Sequence, residues 1–548
     1  MTGLAVWDWV VIALYFLALV GIVWWSARTQ KSAVDYFLAG RNLGWFVIGG
    51  SLFASNIGSE HLVGLAGAGA KSGVAMAHYE LHAWCLLVLG WVFVPFYSRA
   101  AVYTMPEFLE RRYNAAARWI LSLVSLVAYI FTKVSVTVYA GGLVFQTLLP
   151  DGTFGGLSSF WVGAVSMVIL TGIYTVFGGL RADVYTDAMQ AFVLIAGSVC
   201  ITAIGLYTLG GWGELRALCG SERFDLWRPA SDPDFPWAGI LFGAPIVGLW
   251  YWCTDQYIVQ RTLAARNMTQ ARRGTIFGAY LKLTPVFIFI VPGMIAYALA
   301  KSGRLELPDT DRAFPALVQA LLPTGLRGLV VAGLLAALMS SLSTLFNSCG
   351  TLFTIDIYAK LRPQSSDKTL VRVGRIATAV VVILGIAWIP VMQHVSGALY
   401  EYLQKVQAFL APPITAAFFL GVFVQRVNGK GAVAGLVSGF ILGMAKLAAQ
   451  ALVGSEWAAG SLPGFVVALG EFNWLYFCLV LFAVSVMIIV VVSLLTGRPP
   501  AAKTDGLTYA TISAAGKAEI RKTWNKWDVV HTVIILSVIA AVYLYFSG

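Results

Sequence analysis

The sequence predicts an all-α integral membrane protein of about fourteen transmembrane helices, and three observations lead there. The first is composition: of 548 residues, 59% are hydrophobic and 11% are charged, whereas soluble chains carry roughly 25% charged residues to cover their surface. The second is the length of the apolar runs, roughly 20 residues each, which matches about 30 Å of hydrocarbon. The third is the placement of the 37 Lys and Arg residues in short segments between those runs. A net charge of +11 fits a nucleic-acid binder only where the basic residues cluster on one soluble face, so no nucleic-acid partner is expected. The six cysteines show neither CxxC nor zinc spacing, and no disulfide framework follows from them.

The runs centre near Leu17, Ile57, Val88, Val127, Met167, Ile195, Val247, Phe287, Leu338, Val381, Leu410, Val437, Val484 and Leu536. Residues 1–46 hold the first helix and a cytoplasmic loop. That helix is preceded by no basic region or small-residue cleavage site and reads as retained. Five helices follow in 47–210, an external loop in 211–236, five more helices in 237–425, and three in 426–548 with a cytoplasmic segment at 497–525. Alternate loops collect the basic residues, among them Arg28, Lys31 and Arg41, then Arg99, Arg111, Arg112 and Arg118, then Arg261, Arg266, Arg272 and Arg273. About 25 basic residues fall on that side and about eight on the other, so that side is cytoplasmic and both termini face outward. The one Asn-x-Ser/Thr sequon, Asn267-Met268-Thr269, falls inside, and no outward cysteine pair occurs. A bacterial inner membrane is the expected location.

Two spans are interrupted by polar residues. The second reads Ala54-Ser55-Asn56-Ile57-Gly58-Ser59-Glu60-His61, and the seventh Gly248-Leu249-Trp250-Tyr251-Trp252-Cys253-Thr254-Asp255-Gln256. A broken helix at membrane depth is tolerated only where its freed carbonyls line a cavity or bind an ion. Here the two breaks lead consecutive five-helix units, the arrangement that marks a transporter's midplane site. The competing reading is two kinked helices packed through small residues.

In Ala336-Ala337-Leu338-Met339-Ser340-Ser341-Leu342-Ser343-Thr344 the spacing puts Ala337, Ser340 and Ser341 on one helix face. With carbonyls from the broken second span they make an oxygen cage suited to an alkali cation; the alternative is hydroxyls bonding back along their own helix. Asp187, read as beginning the sixth span, is either a helix cap or an ion ligand opposite Ser343 and Thr344. Asn56, His61, Glu80, Lys282 and Gln404 are polar residues spread over several spans, with no hydrolytic triad, Gly-x-Ser-x-Gly or Walker pattern, so an enzyme is not expected. Their mixture of donors and acceptors suits a neutral polyhydroxyl ligand. Tyr79, Tyr251, Trp252 and Tyr400 are candidates to stack on an apolar sugar face and shut the site, against the commoner role of interface anchors. His78, His82, His394 and His531 read as loop, helix-end or belt residues, Lys133 and Lys446 as snorkelling, and Glu401 and Lys405 as a same-helix pair.

With these residues in place, the chain resembles the sodium/glucose cotransporter branch of the sodium/solute symporter family over nearly its whole length. Asp35-Tyr36-Phe37-Leu38-Ala39-Gly40-Arg41 looks like the family's first cytoplasmic loop, and Ala54-Ser55-Asn56-Ile57-Gly58-Ser59 like its broken helix. Gly178-Gly179-Leu180 with Tyr185-Thr186-Asp187-Ala188-Met189-Gln190 is a further signature. Trp250-Tyr251-Trp252-Cys253-Thr254-Asp255-Gln256 with Gln260-Arg261, and Leu338-Met339-Ser340-Ser341 with Asn347-Ser348, read like the animal hexose carriers.

The resemblance implies a five-plus-five inverted-repeat fold with one helix before and three after. It implies sodium held by the Ala54, Ile57 and Ala337 carbonyls with the Ser340 and Ser341 hydroxyls, and a second sodium at Asp187, Ser340, Ser343 and Thr344. It implies sugar contacts from Asn56, His61, Glu80, Trp252, Lys282 and Gln404, with Tyr251 as inner gate. The function implied is sodium-coupled symport of a neutral hexose, glucose and/or galactose, by alternating access with two sodium ions per sugar. A sugar-gated sensor without net transport, and a sodium symporter of a polyol, sialic acid or amino acid, are the alternatives. Partners are the sugar, sodium and the lipid bilayer, and the sequence sets no oligomeric state. Three departures bear on the substrate: Gly248 stands where relatives often carry a polar side chain, Glu60 adds a charge, and Lys405 sits beside Gln404. The external loops lack the Cys-rich insertion of animal carriers, which again points to a bacterium.

Overall fold

A computed structural model describes residues 4–28, 32–58, 60–148, 153–154, 157–392, 399–455 and 462–547. The described chain is helical apart from a two-residue pairing of Thr153–Phe154 with Leu157–Ser158 and two isolated bridges. Eleven of its helices are long and apolar enough to cross a bilayer, and Gly239–Cys253 is a shorter apolar helix. The expected count of fourteen is not reached by that measure. One reason is the Ser159–Leu209 helix, whose 51 residues contain both the Met167 and the Ile195 apolar centres. It turns at Gly179, where φ is 55° and ψ −166°, a backbone setting that glycine alone adopts without strain. A Cβ there would also meet the Tyr36 carbonyl oxygen at 2.8 Å. Asp187 follows that turn by about two helical turns, so it lies inside the second limb and caps nothing; the helix-start reading is corrected.

Both interrupted spans are broken as expected, each in its own way. Helix Trp45–Asn56 ends at Ile57, which is extended (φ −84°, ψ 93°), and the chain resumes in a π-helical turn at Glu60–Leu65. Beyond that point the Ala54 carbonyl has no next helical turn to supply its donor, whereas the Ser55 carbonyl accepts the Tyr257 hydroxyl. In the second break, helix Ala244–Cys253 stops at Thr254 and Asp255 caps helix Gln256–Leu263. Asp255 also receives the Lys133 ammonium at 2.7 Å. Lys133 is therefore buried in an ion pair under the rings of Tyr251 and Tyr257 and does not snorkel. Lys446 does not snorkel either: it donates to the Leu469, Gly470 and Phe472 carbonyls at the end of helix Gly464–Glu471.

One seam of small residues positions the site. Helix Trp45–Asn56 runs beside helix Met268–Lys282, and a Cβ on Gly49 would lie 2.8 Å from the Gly274 carbonyl and 3.0 Å from the Gly278 nitrogen. Gly274 and Gly278 are spaced four apart, so both face the neighbour and let the backbones touch. The two helices then end side by side, which brings Asn56 and Lys282 together. At the chain ends, Asp8 accepts hydrogen bonds from the Gly325 and Gly328 amides, and Leu226 donates to the Phe546 carbonyl. Leu226 lies in the 211–236 loop that the sequence expects outside, and Gly325 and Gly328 lie at the start of helix Leu326–Thr351.

Candidate substrate cavity and cation sites

At the level of the two breaks a narrow cavity of about 40 Å³ opens, lined by Asn56, His61, Tyr79, His82, Val247, Gly248, Tyr251, Trp252, Lys282, Leu403, Gln404 and Gln407. Five of the six predicted sugar contacts line it; Glu80 sits directly behind them, fully buried. Lys282 Nζ donates to Glu80 Oε2 at 2.6 Å and to Asn56 Oδ1 at 2.8 Å. Asn56 Nδ2 in turn donates to the Tyr251 hydroxyl at 3.2 Å, and His61 Nε2 stands 3.4 Å from Glu80 Oε1. Lys282 also lies 5.5 Å from the centre of the Trp252 ring. Taking the Lys282 and Glu80 charges out of water is costly unless they are paired and hydrogen-bonded, and here each charge has both. The pair cancels, so the cavity presents fixed dipoles and no net charge.

Among the described residues none hydrogen-bonds the side chains of Gln404 or Gln407, although both are buried. Two amides on one wall therefore offer donors and acceptors to whatever enters. The aromatic residues divide. Tyr251 meets Trp252 edge to face at 5.1 Å, while Tyr79 stacks on Trp474 at 6.2 Å with planes 9° apart. Tyr400 falls where side chains lie outside those described, as do Glu60 and Glu401. Lys405, read as a partner of Glu401, stands 3.9 Å from Asp234.

The sequence missed His82 and Gln407. His82, taken for a helix-end residue, is a wall of the cavity, and Gln407 is one turn beyond Gln404 on the same helix. That i, i+3 spacing is the signal that finds Gln407. His78 fits its bland reading in part: it is buried, with its ring nitrogens on Tyr543 and the Leu226 carbonyl.

A second cluster lies between helix Trp45–Asn56, the second limb of Ser159–Leu209, helix Gln256–Leu263 and helix Leu326–Thr351. Asp187 accepts from Ser51 at 2.7 Å, from Ser55 at 3.0 Å and from Ser340. Ser343 donates instead to Asp183, and Thr344 lies 3.4 Å from the same carboxylate. Arg261 spans the two acids, 2.7 Å from Asp183 Oδ2 and 3.5 Å from Asp187 Oδ2, and also donates to Thr344. The predicted second ion site is thus split: Asp187 and Ser340 are joined, while Ser343 and Thr344 turn to an acid that the reading left out. Arg261, counted among the cytoplasmic loop residues, is fully buried here. Asp183 stands four residues before Asp187, on the same helix face, which was its signal.

The first cation site is assembled differently. Ser341 Oγ is buried and has no hydrogen-bond partner among the described residues. Ser340 is engaged with Asp187 and not with the cage. Helix Leu326–Thr351 runs unbroken through Ala337, so that carbonyl is not freed and offers only its second lone pair. The Ala54 and Ile57 carbonyls at the break, with Ser341, remain a hard-oxygen set that suits an alkali cation.

The sodium:solute symporter family model matches residues 36–439. The chain belongs to that family. Among similar proteins, the symporter is 38% identical to mouse (Mus musculus) sodium/glucose cotransporter 4 over 95% of this chain and 80% of that one. It is 40% identical to rabbit (Oryctolagus cuniculus) sodium/glucose cotransporter 1, covering 89% and 79%. Rabbit sodium/myo-inositol cotransporter 2 is also 40% identical, covering 92% and 79%. A solved substrate-bound, outward-open Na⁺-coupled sialic acid symporter superposes with a TM-score of 0.74 at 22% identity, over 90% of this chain and 99% of that one. The symporter therefore has the all-α, five-plus-five inverted-repeat architecture with two broken helices that the sequence predicts, and it is a multi-pass membrane protein.

Proposed function

We propose that this symporter carries a neutral hexose, glucose and/or galactose, into the cell with two sodium ions, by alternating access. The observation that carries the reading is the charge-balanced Lys282–Glu80 pair in a buried cavity with two unengaged glutamine amides, in a chain 38–40% identical to proteins named sodium/glucose cotransporters. A cavity with no net charge and many dipoles recognises hydroxyl groups; it gives an anion or an amino-acid carboxylate no unpaired cation. In this reading Asn56, His61, Trp252, Lys282 and Gln404 contact the sugar, Glu80 holds His61 and Lys282 in place, and Tyr79, Tyr251 and Tyr400 close the site.

Sodium binds the Ala54, Ile57 and Ala337 carbonyls with Ser341, bridging the broken second span to helix Leu326–Thr351, and Ser340 joins it on leaving Asp187. Asp187, Ser340, Ser343 and Thr344 take the second ion. Two carboxylates face one guanidinium there, so one added cation balances the buried charge. At about 100 mV each ion contributes roughly 2.3 kcal/mol, a factor of about fifty in accumulation, and the two factors multiply. The units 47–210 and 237–425 are the rocking repeats, flanked by 1–46 and 426–548, with 211–236 outside and 497–525 inside. The chain sits in a bacterial inner membrane with both termini outward, acts as a carrier and not as an enzyme, and has the sugar, sodium and the lipid bilayer as partners.

Labelled glucose and galactose uptake into proteoliposomes, with and without an inward sodium gradient, tests this. Sodium-driven accumulation is expected. Binding without accumulation would replace the carrier by a sugar-gated sensor. The 40% identity to a sodium/myo-inositol cotransporter favours a cyclic polyol as the second substrate to try.

A further inference from the structure

Gly248 leaves a gap in the cavity wall, and the imidazole of His82 fills it. A Cβ built on Gly248 would lie 2.7 Å from His82 Nδ1, 3.1 Å from its Cγ and 3.2 Å from Cys85 Sγ. Contacts that short do not persist, so a side chain at 248 and the imidazole in this position exclude each other. His82 is 3% exposed, lines the cavity beside Gly248, and among the described residues no group hydrogen-bonds its ring nitrogens. Its ring is held by others: Tyr79 meets it edge to face at 5.6 Å and Trp84 at 6.1 Å. A buried, oriented polar ring without a partner is costly unless something in the cavity completes its hydrogen bonding. Val247, Gly248 and Leu403 of the same lining bring no polar side chain to the cavity, whereas His82 brings an imidazole.

We infer that His82 is a specificity-determining sugar contact, hydrogen-bonding one hydroxyl of the bound hexose, and that Gly248 is glycine because the imidazole takes the space of its side chain. This rests on the hexose reading above. Four proteins test it by sodium-driven uptake: the wild type, His82→Ala, Gly248→Ser, and the double variant, each with glucose and the 2-, 3-, 4- and 6-deoxy analogues. His82→Ala is expected to raise the sugar KM about tenfold, the loss of one hydrogen bond, with kcat and the sodium half-saturation little changed. It should also erase the preference for glucose over one deoxy analogue and leave the other three preferences as they are. Gly248→Ser alone should raise KM by displacing the ring, while in the double variant the serine should bring KM back below that of His82→Ala. His82→Gln, which keeps a donor and an acceptor, should keep KM within a few-fold of the wild type. An unchanged KM and unchanged analogue preferences in His82→Ala, in a wild type that does transport hexose, would overturn the assignment. Strictly additive effects in the double variant would overturn the link to Gly248. A wild type that accumulates no hexose would overturn the hexose reading first, and this contact with it.

Discussion

The candidate substrate cavity and the carboxylate cluster both draw on the Trp45–Asn56 helix, yet they are built on opposite plans. In the cavity the charges are paired with one another, Lys282 with Glu80, and polar side chains such as Gln404 and Gln407 are left unengaged around them. In the cluster nearly every donor is already spent: Ser51, Ser55 and Ser340 on Asp187, Ser343 on Asp183, and Arg261 across both acids. The cavity keeps two amides to offer a ligand, unengaged among the described residues, whereas a closed cluster must trade existing bonds for an incoming ion. In the proposed reading, fixed dipoles select the sugar, while an ion at Asp187 has to compete with Arg261.

That contrast can be broken by substitution. The largest effect is expected from Lys282→Ala, which takes the ammonium from the buried Glu80 carboxylate and leaves His61 beside it. Breaking such a buried pair costs about 3–5 kcal/mol of stability, read by melting of detergent-extracted protein, and initial rates of hexose uptake should fall to background. Pairing it with Glu80→Ala should recover folded yield but not transport. Next comes Arg261→Ala, which exposes two neighbouring carboxylates to each other; detergent-extracted protein should lose about 3 kcal/mol of stability, and Asp183→Asn in the same chain should restore most of it. If Arg261→Ala melts like the wild type, the cluster is not held by that competition.

Ser341→Ala should raise the sodium concentration for half-maximal uptake about tenfold and leave the sugar KM at saturating sodium unchanged. Asp187→Asn should lower the sodium-to-sugar ratio from two to one, measured from reversal potentials; an unchanged ratio would refute the two-ion reading. The smallest effect belongs to the face that carries Glu110, expected from the sequence to be cytoplasmic. There burial pushes the Glu110 carboxyl up, but Lys360 at 2.8 Å and Arg118 at 2.6 Å outweigh it and hold the group below its ordinary value. A carboxylate whose folded pKa is depressed adds stability above its unfolded pKa and loses it as the pH falls through the folded one. Acidification below the ordinary glutamate range should therefore cost under about 1 kcal/mol here after solvent screening, and Glu110→Gln should flatten that part of the stability curve.

The segment at 497–525, expected from the sequence to be cytoplasmic, packs against the helices. Read from sequence it is either a lipid contact or a solvated linker. In the structure Lys503 donates to the Glu110 carbonyl, Tyr509 packs on Phe96 and Phe423, and Thr523 meets Arg272. It is docked on the helical bundle, because its polar groups find carbonyls and hydroxyls there that no local pattern announces.

How far the site was legible depends on whether the signal is local. Asn56, His61, Lys282 and Gln404 stand out because an ionisable or amide group at membrane depth needs a reason, and that cost can be read one residue at a time. The two broken helices are legible for the same cause, since polar and glycine residues interrupt long apolar runs. His82, Gly248 and Arg261 are not, because each draws its role from a neighbour far away in sequence: a ring across a gap, or an acid on another helix. The apolar runs and the stranded polar residues thus follow from the chain itself, as transfer energies do. The meeting of Gly248 with His82, the capture of Ser343 by Asp183, and the closeness of Asn56 to Lys282 along the Gly49–Gly278 seam were decided only in three dimensions. Helix packing chooses which side chains share a space, and no transfer energy along the chain carries that information.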